Sequence, residues 1–72
     1  MTHSAIPNHI KEACAGRTRE EIGAMVMATE RAVIDMENTD HLGFHGIERL
    51  SRARWDLDHL RTYLAHYEEY AR

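Results

Sequence analysis

The stretch Thr18-Arg19-Glu20-Glu21-Ile22 and the spaced positions behind it decide the fold. Thr18 followed three residues later by Glu21 is a capping box. The hydroxyl accepts the Glu21 amide proton while the Glu21 carboxylate reaches back to the Thr18 N–H. Glu20 and Glu21 also complement the positive end of the helix dipole. Behind this start, Ile22, Val26, Thr29, Val33 and Met36 step by four, three, four and three, a stripe along one helical face. No proline interrupts it, and the polar run Asn38-Thr39-Asp40 ends it. The spacing predicts a helix over 18–38.

Working outward towards the C-terminus, Leu50, Ala53, Leu57, Leu60, Leu64, Tyr67 and Ala71 repeat the same alternation of threes and fours. This predicts a second helix over 47–71. The connection is expected over 39–46, with Gly43 and Gly46 inside it, because each glycine in a helix interior costs about 1 kcal/mol relative to alanine. Two amphipathic helices joined by a short link pack antiparallel. Towards the N-terminus, residues 1–17 read as an arm. Asn8 is a candidate cap for a short helix, His9 to Ala15, that stops at Gly16. The expected architecture is an all-α antiparallel two-helix hairpin with a short N-terminal helix or arm, a single domain over 1–72. It is expected to dimerise into a four-helix bundle.

Seventy-two residues build a thin core, one that rarely supplies more than about 3–5 kcal/mol without a staple. Cys14 is the only cysteine, so no disulfide forms within the chain, and a second copy is the natural support. A lone thiol fits a reducing compartment, and a buried, inert Cys14 is expected over a Cys14–Cys14 bridge between chains. Met1-Thr2-His3-Ser4 has neither the basic region nor the apolar run of a secretion signal. No apolar stretch is long enough to span a bilayer. The expected location is cytoplasmic, with no membrane partner.

Each predicted helix carries a second stripe beside its seam. On the first helix, Met27 and Ile34 lie seven residues apart, and Met25 and Ala32 widen the apolar arc. On the second, Trp55, His59, Tyr63, His66 and Tyr70 form an aromatic and histidine stripe. A two-helix hairpin has one internal face per helix and cannot bury both stripes. They are read as a homodimer interface or as a face for a protein target, since Trp and Tyr dominate interface energetics and Met adapts to varied surfaces. A half-solvated face of amphipathic side chains is the third reading.

Other chemistries find less support. Six histidines raise the question of a metal, and His41 and His45 have helical i, i+4 spacing, but they flank Gly43. His59 and His66 lie about 10 Å apart along a helix, too far to share an ion. No metal, cofactor or catalytic residue is expected. Cys14 and His9 form no ordered nucleophile–base pair, and the chain is too short to enclose a pocket. Arg49 and Arg52 share a face and form a small basic patch, the basis for an alternative nucleic-acid role. A net charge of −3 and interleaved Glu48, Asp56 and Asp58 oppose it. The sequence therefore reads as a small non-enzymatic regulator or inhibitor that binds a larger protein, of the kind found among bacterial and phage accessory proteins. A small dimeric DNA- or RNA-binding regulator is the first alternative, and a histidine-based metal-binding protein the lesser one.

Overall fold

The computed structural model describes residues 6–39 and 43–71. They form four helices: α1 (Asn8–Cys14), α2 (Arg19–Glu37), α3 (Gly43–Ala65) and α4 (Tyr67–Tyr70). No strand occurs among the described residues. The predicted hairpin is α2 packed on α3, and α1 lies against α3.

The capping box at the start of α2 is formed. Glu21 N–H donates to Thr18 Oγ1 at 3.1 Å, and Thr18 N–H donates to Glu21 Oε1 at 2.8 Å. At α1 the expected cap moves by one residue. Asn8 lies in the first turn and Pro7 stands at the cap position, with no side-chain cap bond. The Pro7 ring already fixes φ at −59°, so its carbonyl accepts from the amides of Ile10 and Lys11, both at 3.1 Å, without help from Asn8. The chain leaves α1 through Ala15 and through Gly16 at φ +73°, a left-handed conformation suited to glycine.

The second long helix differs from expectation at both ends. It starts at Gly43, where φ is +69°, and continues through Phe44, His45 and Gly46. The cost of an interior glycine is a weak preference that the rest of this 23-residue helix outweighs. The predicted connection therefore shortens, and Asp40, His41 and Leu42 lie outside the described residues. At the other end the helix breaks at His66, with φ −116° and ψ 34°. In an unbroken helix Tyr63 and Tyr70 would stand about 10 Å apart. The break brings their rings into a stack with centroids 5.1 Å apart.

Two buried clusters fill the interior. Val33, Leu50 and Leu57 form one, flanked by Met36 and Ala53. Ile6, Ile10, Cys14, Ile22, Leu60 and Tyr63 form the other, flanked by Met25, Leu64, Tyr67 and Tyr70. Val26 packs against both. Both predicted seams point inward, except that Ala71 at the end of the second is exposed beyond α4. The expectation that a hairpin leaves both stripes bare holds only in part, because α1 supplies a third wall over the C-terminal half of α3. Ion pairs Arg54–Glu37 at 2.5 Å and Arg61–Glu30 at 2.6 Å tie α3 to α2 at the surface.

Candidate docking faces

Apolar residues shared out among three helices leave the stripe on α3 divided. Tyr63 is 4% exposed, against Ile10, Cys14 and Ile22, and is a core residue. Tyr70 is partly buried against the same cluster through its stack on Tyr63. His66 occupies the helix break, with Nδ1 3.2 Å from Glu69 Oε1. The His66 side chain at the break is 40% exposed, while Tyr63 and Tyr70 are taken up in the closure of the fold by α1 and α4. Sequence periodicity could not separate them from the outer residues, because the wall they meet comes from a separate seven-residue helix.

Trp55 marks the border of the covered region. The His9 ring of α1 stands 6.0 Å from it on one side, and His59 meets it edge-on at 4.6 Å. His9 Nε2–H donates to Asp56 Oδ1 at 3.0 Å, which fastens α1 beside the indole. Trp55 is nevertheless 51% exposed. Beyond it, towards the start of α3, Ile47 and Phe44 are 56% and 73% exposed. Phe44, Ile47, Ser51 and Trp55 step by three, four and four, so they share one outward sector of α3. Phe44 falls in the expected connection over 39–46, and Ile47 opens the expected helix over 47–71 outside both of its stripes. Phe44 lies three residues upstream of Ile47, so helical spacing carried past Gly46 joins the two on one face.

A shallow groove in this sector is lined by His45, Ile47, Glu48, Arg49, Arg52 and Trp55. Arg49 and Arg52 are exposed beside it and have no ion-pair partner among the described residues. Glu48 Oε1 lies 3.7 Å from His45 Nδ1. On α2, Met27 is 67% and Ile34 49% exposed, and their spacing of seven puts them on one face. The described part of the molecule thus presents two outward apolar faces on different helices.

Burial pushes the Cys14 thiol above its ordinary pKa of 9.0, with Arg17 opposing the shift. Burial likewise raises Tyr63 above 10.0, with Cys14 and Tyr67 adding to the shift. Both groups are held neutral, which suits packing and not nucleophilic chemistry. Among the described residues, no three His, Cys, Asp or Glu side chains converge to hold a metal ion. The His41 half of the His41/His45 pair lies outside them. No described helix is long and apolar enough to cross a membrane. Comparison with protein-family models, curated proteins and solved structures returns no match.

Proposed function

We propose that this chain is a small non-enzymatic regulator that acts as a homodimer by occupying a surface of a larger protein. One observation carries the reading. After α1, α2 and α3 have packed, large apolar side chains still point outward from two helices, Phe44, Ile47 and Trp55 from α3 and Met27 and Ile34 from α2. Large apolar side chains left exposed on one face of a small protein mark an interaction site, and two such faces accommodate two contacts. Met27 is adaptable and Trp55 is large with a polar tip, the properties that favour each in binding surfaces. The action is steric, since nothing in the reading requires chemistry on the target.

The test is photo-crosslinking in living cells, with a photoreactive residue placed in turn at Met27, Ile34 and Trp55 and at the exposed Glu12 of α1 as control. A discrete adduct with one larger protein, identified by mass spectrometry and lost with Ile34→Asp, is the expected outcome. Adducts only with further copies of the chain at every position would remove the regulatory reading.

A further inference from the structure

We propose that the outer stripe of α3 is the contact between two copies of this chain, with the two α3 helices crossing antiparallel at Ser51. This deepens the homodimeric reading above and rests on it. It assigns the self-contact to one face and leaves Met27 and Ile34 for the target.

The arrangement follows from where the residues fall about Ser51. Ile47 and Trp55 lie four residues before and after it, about 6 Å along the helix in either direction. A two-fold axis through Ser51 therefore sets Ile47 against Trp55 of the partner subunit, and Trp55 against the partner's Ile47. The small Ser51 side chain at the crossing lets the helices approach closely. Phe44, at the far end of the same sector, falls opposite Asp58 of the partner subunit, so the apolar contact is centred on Ile47 and Trp55.

Charge selects the direction. Glu48 and Arg52 lie one turn apart on the same flank of the stripe, both exposed at the groove. In the antiparallel arrangement Glu48 falls within about 3 Å, measured along the axis, of Arg52 of the partner subunit. The symmetry repeats the pair, as an isologous contact requires. The partner's Arg52 also comes within about 3 Å of Arg52 along the axis, but the two Glu48–Arg52 pairs outnumber that one contact between like charges. A parallel pair would put the two flanks on opposite sides of the contact, where Glu48 and Arg52 of the partner subunit do not meet. Arg52 has no partner within its own chain among the described residues, so the contact satisfies a charge that folding leaves free. One stripe of three large side chains is smaller than the roughly 800 Å² per partner of a standard interface, so the dimer is concentration-dependent.

Sedimentation equilibrium on the full chain over a wide concentration range tests the proposal, with light scattering as a second measure of mass. The wild type is expected to dimerise reversibly. Ile47→Asp, at a position already exposed, should weaken association by about tenfold or more without loss of helix signal. Glu48→Arg and Arg52→Glu should each weaken it by roughly threefold to tenfold, and the Glu48→Arg/Arg52→Glu double variant should restore it. Ser51→Cys should cross-link readily under mild oxidation, whereas Asp58→Cys should not. A dimer that ignores Ile47→Asp overturns this face while leaving a homodimeric regulator standing. A double variant as weak as the single ones overturns the antiparallel register. A chain monomeric at every concentration overturns both this contact and the homodimer.

Discussion

The Tyr67 hydroxyl donates to the Arg17 carbonyl at 3.0 Å, joining residues fifty apart in sequence. This bond pins α4 to the turn between α1 and α2, and Arg19 reinforces it by lying 5.3 Å over the Tyr67 ring. The helix break at His66 is what aims Tyr67 at that turn. Tyr67→Phe keeps the ring and removes only the donor, so it should cost about 0.5–1.5 kcal/mol. Urea unfolding followed by far-ultraviolet circular dichroism measures this. An unchanged midpoint would show that water replaces the bond without loss.

The docking of α1 makes a larger prediction. Ile10 is buried against Ile22, Leu60 and Tyr63 in one cluster. Ile10→Ala should therefore destabilise the chain by about 2–5 kcal/mol, combining lost burial with the cavity left behind. Trp55→Ala removes a larger side chain from a half-exposed position and should cost less, with the helix signal nearly intact. Chemical denaturation of the two variants side by side checks the order. The reverse order would place Trp55, and not α1, at the centre of stability.

Much of this was legible in the sequence, and the part that was not has a physical cause. Both seams and the Thr18–Glu21 box follow from spacing within one helix, where i, i+3 and i+4 relations are local geometry. Tyr63 and Trp55 share a stripe in that geometry, yet one is buried and the other half exposed. The difference comes from Ile6, Ile10 and Cys14, fifty residues away, and no periodicity within α3 encodes where that arm docks. Phe44 escapes the sequence for a simpler reason. Two glycines close together read as a break, and here Gly43 opens the helix in a left-handed conformation while Gly46 is carried inside it.

Cys14 and Tyr63 give the stability a pH dependence of definite sign. Both have folded-state pKa values raised above their ordinary 9.0 and 10.0, chiefly by burial. In the unfolded chain they ionise at those ordinary values, so the native state then binds more protons. Their contribution is present in full below about pH 9 and is lost as pH rises through the folded values. Unfolding free energy should be flat for these groups between pH 7 and 8.5 and fall above that window. Native Cys14 should also react slowly with a thiol reagent at pH 8 and quickly in denaturant. Rapid native reaction would mean that α1 lifts away from α3 often enough to expose it.

Two glycines should respond in opposite directions to the same substitution. Gly16 sits at φ +73°, and a Cβ there would meet nothing within 4 Å. The penalty for Gly16→Ala is therefore pure backbone strain, on the order of 1 kcal/mol. Gly23 lies within α2 without a positive φ, and a Cβ there also meets nothing within 4 Å. Gly23→Ala should stabilise the chain by about 0.5–1 kcal/mol, because alanine loses less conformational freedom on entering a helix. Equal space at the two sites removes packing from the comparison, so the sign of each shift reports the backbone alone. Thermal unfolding of both variants at one protein concentration measures it. A destabilising Gly23→Ala would mean that a partner or a second copy approaches α2 closely at that point, and Gly23 would then join Met27 and Ile34 in the search for the contact surface.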